Sequence, residues 1–190
     1  MAYRGLMATD TMWTAEMVYA LPEDGKRYEV LDGELAVTPA PNQGHQDVLG
    51  RFYVVLLAYT QLQNIGYTYL SPADIEFSPA RLVQPDVFVA ARVEGRKPNG
   101  WKEMKHLRLA VEVLSPSTAR RDRGRKRIIY QSQGVEEYWI VDVDARCVER
   151  WRPDDERPEV VHGSLRWHPD PAVPPLDIDL EALFEAAARG

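Results

Sequence analysis

Two near-continuous apolar runs, Leu109-Ala110-Val111-Glu112-Val113-Leu114 and Glu137-Tyr138-Trp139-Ile140-Val141-Asp142, bracket a stretch at 118–133 that has helical spacing and ends at Gly134. A strand, a helix and a strand in that order place the two strands parallel, joined by a right-handed crossover. Parallel strands are covered on both faces, so helices must pack on the sheet. The expectation is an α/β protein, an α+β mixed sheet flanked by helices.

The remaining punctuation fills in that frame. Thr14 caps a short helix to Leu21, with Glu16 at the positive end of its dipole and Trp13, Met17 and Leu21 along one side, before Pro22 ends it. Arg27–Leu31 and Glu34–Thr38 flank Asp32-Gly33, a pair suited to a type I′ turn, and so read as a hairpin. Asn42 caps a long helix in which Val48, Phe52, Val55, Leu56, Tyr59 and Leu62 follow helical spacing as far as Gly66. Residues 67–77 read as one extended segment, 86–91 as a buried strand opened by Pro85, and 92–108 as a surface connection. Ser117 caps the helix at 118–133. Residues 147–152 and 160–167 extend the sheet antiparallel, and 180–188 form a closing helix.

A chain of 190 residues with 45% hydrophobic composition and a mean hydropathy of −0.39 reads as one soluble domain over 1–190. No apolar run approaches the roughly 20 residues of a membrane span, and the N-terminal MAYRGLMATDTMWTAEM lacks the apolar centre of a signal peptide, so the expected location is cytoplasmic. Cys147, the one cysteine, excludes an internal disulfide and a cysteine-based zinc site. The net charge of −6 argues against a polyanionic partner, yet residues 92–127 hold 12 of the 23 Lys and Arg and only four acids, a local charge of +8. That segment is either a solvated surface or the face that meets nucleic acid.

Glu112 stands in the middle of an apolar strand, on the same face as Ala110 and Leu114, and Asp86 leads directly into Val87-Phe88-Val89. A buried carboxylate without a partner costs several kcal/mol or more, so each must be protonated, paired or bound to a cation. On the intervening helix, Ala119, Asp122, Lys126, Ile129 and Tyr130 form one stripe, which turns Lys126 toward the sheet. Asp86 and Glu112 then offer hard oxygen ligands for Mg²⁺, with the Val113 carbonyl as a further ligand, and Lys126 offers a cation for phosphoryl chemistry. The same three residues also fit a buried ion triad that only stabilises the core.

These residues sit in an ordered series: Tyr28-Glu29-Val30-Leu31-Asp32-Gly33-Glu34, Gln84-Pro85-Asp86, Val111 to Thr118, Arg121-Asp122-Arg123-Gly124-Arg125-Lys126 and Gly134 to Asp142. The series resembles the putative restriction endonuclease family of small bacterial proteins, within the PD-(D/E)xK nuclease superfamily, over roughly residues 14–152. The resemblance implies a restriction-endonuclease-like fold and a Mg²⁺-dependent nuclease, with Asp86 as the motif aspartate and Glu112 as the following acid. In that superfamily the lysine usually lies two residues after the acid. Leu114 occupies that place here, and the resemblance moves the lysine to Lys126.

Glu29 belongs to the same motif series and is a secondary candidate, with Glu34 predicted on the opposite face. His45 in the first turn of the long helix and Asp122 are further secondary candidates. Arg120, Arg121, Arg123 and Arg125 are the candidate DNA contacts. His162, His168, Cys147, Tyr138 and Trp139 carry no expected chemistry. The function expected is hydrolysis of DNA phosphodiesters with Mg²⁺, or Mn²⁺ in its place, by a homodimer. The other reading is a non-catalytic, nuclease-fold DNA-binding or transposon-associated accessory protein.

Overall fold

Glu29, Asp86, Glu112 and Lys126 come from four segments well apart in the chain, and the order of the elements explains how they meet. The structure is a computed structural model that describes residues 11–189; residues 1–10 of the stretch read for a leader lie outside the described residues. Helix α1 (Ala15–Tyr19) starts at Thr14, whose hydroxyl accepts the Met17 amide, and buries Ala15 and Val18, while the predicted Trp13, Met17 and Leu21 side is only half-buried. Strands β1 (Arg27–Leu31) and β2 (Glu34–Thr38) form the expected hairpin, with Asp32 and Gly33 at φ of 53° and 83°. Helix α2 (Gln43–Gln63) is capped by the Asn42 side chain and ends at Asn64 in the left-handed region. Leu62, assigned to its apolar face, is 79% exposed; the buried stripe turns instead through Tyr59 and Thr60.

Next come β3 (Tyr67–Leu70), β4 (Ile75–Ser78), β5 (Arg81–Val83), β6 (Val87–Ala90), a 3-10 turn at Trp101–Glu103 and β7 (Leu107–Val113). The expected 118–133 helix is α3 (Ala119–Arg121), a π turn (Asp122–Lys126) and α4 (Arg127–Ser132). Then follow β8 (Glu137–Asp142), β9 (Cys147–Trp151), β10 (Glu159–Val161), β11 (Ser164–Trp167), β12 (Leu176–Asp179) and α5 (Leu180–Arg189).

The central sheet has the order β10-β9-β8-β7-β6-β3, with β7 and β8 parallel and its other pairs antiparallel. Val87, Val89, Val111 and Trp139 on one face meet Val48, Phe52 and Leu56 of α2, together with α5 and the β11-β12 pair. Phe88, Ala110, Tyr138 and Ile140 on the other face meet Ile129 and Tyr130 of α4. They also meet Leu31, Ile75 and Val83 of a second sheet, ordered β2-β1-β5-β4. This is the mixed α/β architecture expected, with helices on both faces of a mixed sheet. Among the described residues no helix is long and apolar enough to cross a membrane.

Three readings need correcting. Residues 67–77 are not one strand: the chain breaks after Leu70, so that β3 joins the central sheet and β4 the second. Residues 160–167 likewise divide at Gly163, which has φ of 72°, and β11 leaves the central sheet to pair with β12. Ser117 does not cap the helix. Its hydroxyl meets Ser115 Oγ at 3.1 Å, and the helix grows instead from a turn in which the Ser115 carbonyl accepts the Thr118 and Ala119 amides.

Gly66 is where α2 turns into β3 against the sheet: a Cβ there would lie 2.7 Å from the Ala90 carbonyl oxygen and 3.1 Å from Val89 Cγ1. Gly66→Ala is therefore expected to destabilise the fold by about 1–3 kcal/mol, read as a lower denaturant midpoint at unchanged slope. Gly50→Ala, on the exposed side of α2 with open space around it, should instead stabilise by roughly 0.5–1 kcal/mol.

Candidate active site

The register of the central sheet brings the two strand acids together. β6 and β7 pair antiparallel with Val87 opposite Val111, and one further step sets Asp86 opposite Glu112. The Val113 amide crosses to Asp86 Oδ2 at 3.0 Å and fixes that carboxylate against β7. Both acids lie on the face that carries Phe88 and Ala110, the face turned toward α4 and the second sheet.

Lys126 enters from the π turn and is 2% exposed. Its Nζ lies 2.5 Å from Glu112 Oε1 and 2.9 Å from Glu29 Oε1. Glu29 reaches the same point from β1 of the second sheet, and its Oε1 also accepts the Gln84 amide at 2.8 Å. Asp122, one turn before Lys126, is buried as well. A π turn is wider than an α turn. Here both ends of one, Asp122 and Lys126, are directed inward.

The predicted site residues Asp86, Glu112, Val113 and Lys126 thus line a single cavity of about 220 Å³. The secondary candidates Glu29, His45 and Asp122 line it too. Glu34, by contrast, is on the exposed face of the hairpin, paired with Arg125. The four candidate DNA-contact arginines divide. Arg121 lines the cavity and donates to Thr38 Oγ1 at 2.6 Å, with Glu29 at 3.9 Å. Arg123 bridges Asp142 and Glu149 at 2.8 and 2.6 Å, and Arg120 is exposed. None of residues 92–108 lines this cavity.

Arg27 was not singled out from the sequence. Its guanidinium meets Asp86 Oδ1 at 2.7 Å and Ser71 Oγ at 3.2 Å. Strand alternation held the signal, since residues two apart on β1 share a face and Arg27 is two before Glu29. Tyr130, which donates to Glu112 Oε1 at 3.0 Å, was placed on the inward stripe as core packing only.

The electrostatics are unequal across the cluster. Burial works to raise the Asp86 carboxyl, but the His45 ring at 3.1 Å and the Arg27 guanidinium outweigh it and hold it at about 2. At Glu112 burial prevails: opposed by Lys126 but reinforced by Asp86, Asp122 and Glu29, it pushes the carboxyl well above the usual range. Burial also raises Asp122, against the pull of Lys126. Lys126 is the converse case, where burial is overcome by Glu112, Glu29 and Asp122 and the ammonium is held charged.

Among the described residues no three His, Cys, Asp or Glu side chains gather as a ready-made metal cage. Mg²⁺ does not require one, since it is commonly held by one or two carboxylates and keeps several waters. Tyr130 and Lys126 both meet Glu112 at Oε1, and Glu112 lines the same cavity as Asp86. Asp86 and Glu112 therefore fit such an ion.

The sequence matches the model of the Uma2 family, described as putative restriction endonucleases, over residues 15–181. The fold is similar to the crystal structure of a putative nuclease belonging to DUF820 from Anabaena variabilis ATCC 29413. The two chains share 21% identity at a TM-score of 0.73, over 92% of this chain and 98% of that one. This likeness identifies a restriction-endonuclease-like fold. No curated protein sequence matches the chain.

Lys126→Ala would strand Glu29 and Glu112 in a buried site, so the fold does not tolerate it as it would an ordinary helix-surface substitution. It should cost about 3–5 kcal/mol in chemical denaturation. Adding Glu112→Gln should recover part of that loss, and a strictly additive double variant would separate the two groups energetically.

Proposed function

We propose that this chain, which belongs to the Uma2 family of putative restriction endonucleases, hydrolyses DNA phosphodiester bonds with Mg²⁺ held by Asp86 and Glu112. The observation that carries this reading is the pairing of the two acids across adjacent strands on one cavity, with Lys126 against Glu112. When bound, the metal supplies Lewis-acid activation of water and neutralises phosphodiester charge; Mn²⁺ can take its place.

The protein residues do the rest. Asp86, kept ionised, presents an oxygen pair whose orientation is fixed by the Val113 amide, with the Val113 carbonyl a further candidate ligand. Lys126, kept charged by the surrounding acids, stabilises the negative charge that grows on the phosphoryl oxygens as a water oxygen bonds to phosphorus and one ester P–O bond breaks. Arg121 and Arg27, which line the cavity, are the cations assigned to the non-bridging oxygens, Arg27 after turning from Asp86. His45 keeps Asp86 in position. A homodimer supplies the second site that double-strand cleavage needs, and a single, buried, free Cys147 suits a cytoplasmic setting.

A second reading, a DNA-binding or transposon-associated accessory protein without turnover, draws on the ion pairs that already compensate Asp86 and Glu112 within the chain. A supercoiled-plasmid nicking assay separates the two. Nicking is expected with Mg²⁺ or Mn²⁺, absent in EDTA, and lost in Asp86→Ala; no metal-dependent nicking by folded wild-type protein would favour the accessory role.

Arg120 and Arg125 are exposed, and Arg121 lines the cavity. Neutralising all three should weaken DNA binding and lower the log–log salt slope by roughly 0.9 for each phosphate that is no longer neutralised. An unchanged slope would place the DNA on another face.

A further inference from the structure

A second cavity, of about 620 Å³, lies on the other side of Arg27, His45 and Asp86, and these residues and Pro41 belong to the walls of both. A polymer leaving the first cavity past Asp86 therefore enters the second. The volume falls within the roughly 300–1,000 Å³ of small-molecule sites and suits one nucleotide.

The walls combine flat apolar surface with unmet polar atoms. Tyr19, at the end of α1 and 45% exposed, and Tyr28 on β1 supply aromatic rings, and Leu21 and Leu70 supply aliphatic surface. Gln84 is 9% exposed, and its Nε2 donates to Asp74 Oδ1 at 2.7 Å, which fixes the orientation of the amide. Gln84 Oε1 then has no hydrogen-bond partner. His45 is 7% exposed and turns Nε2 to Asp86, leaving Nδ1 unpartnered; Arg27 Nε is likewise unpartnered. Buried polar atoms are rarely left unpaired. Three residues of one cavity with such atoms mark it as a place where a polar ligand completes the bonding.

Resting on the nuclease reading of the adjoining site, the geometry points to this cavity as the seat of one unpaired nucleotide of a DNA strand whose neighbouring phosphodiester lies at Asp86 and Glu112. The base stacks on the tyrosine-lined wall and turns its donor edge to Gln84 Oε1, while Arg27 faces the connecting phosphate. A base inside a duplex has both faces stacked and its pairing edge occupied, so it enters only by leaving the helix. The preferred substrate is accordingly a single strand or an unpaired position, not continuous duplex.

The test measures binding apart from cleavage, by fluorescence anisotropy of the full chain in EDTA, with one labelled oligodeoxynucleotide as a single strand and annealed to its complement. Single-strand binding about 10-fold tighter is expected. Tyr19→Ala and Gln84→Met should each weaken it by about 5- to 10-fold, in keeping with the loss of a stacking platform or a base-edge hydrogen bond, with duplex binding changed less than about 2-fold. Equal affinity for the two DNAs, or a Tyr19→Ala protein that retains the full preference, overturns the proposal. Tyr19 is partly exposed, so its variant keeps the test open if Gln84→Met fails to fold. The nicking assay reports on the neighbouring site alone. Tyr19-dependent single-strand binding without nicking supports the nucleotide seat and sinks the nuclease reading, whereas metal-dependent nicking with no strand preference does the reverse.

Discussion

One ammonium group, Lys126 Nζ, ties together three parts of the structure that share no backbone hydrogen bonds with one another: β1 through Glu29, β7 through Glu112, and the π turn that carries the lysine itself. Burying charge is costly, by several kcal/mol for each ion even after relaxation, and the cost is offset only where the partners are close and well oriented. Here the carboxylates outnumber the lysine, and Asp86 is paired separately with Arg27 and meets His45 Nε2 at 3.1 Å. The second sheet must dock on the central one for Glu29 to reach Lys126. Docking of the sheets and assembly of the charge cluster are therefore one event.

The helix that carries the lysine departs from a regular form. A regular α-helix from 118 to 133 would already turn Lys126 inward, as its spacing implies, yet the chain adopts a π turn across Asp122–Lys126. Gly124 lies within that turn with open space around it, at a point where Arg123 and Arg125 reach outward to Asp142 and Glu34. Leu114, just past the end of β7, packs against the same core as Ile129 and Tyr130.

Much of the fold was legible because its signals are local. The Asp32-Gly33 turn, the Asn42 cap and the apolar strands around β7 and β8 each declare themselves within a few residues. The acids Asp86 and Glu112 were legible for a related reason, since a charge in an apolar strand is conspicuous. The departures in the strands are consequences of long-range pairing. Nothing local says that β4 leaves β3 for another sheet, or that β11 pairs with β12 rather than continuing from β10. Arg27 was missed at the site because its role arises only when the second sheet closes over the first and brings it to Asp86; on β1 alone it reads as an ordinary strand-end cation. The lone glimpse of it was the two-residue spacing from Glu29.

The cluster draws on residues from Arg27 through Lys126, and β7 gains its parallel neighbour only with Glu137–Asp142. A ribosome therefore delivers the acids early and the lysine and supporting strand late. Until Lys126 has been made, Glu29 and Glu112 have no ammonium to meet, and until Glu137–Asp142 follows, β7 lacks its parallel neighbour. The timing of synthesis withholds the complete charge constellation until most of the polypeptide exists.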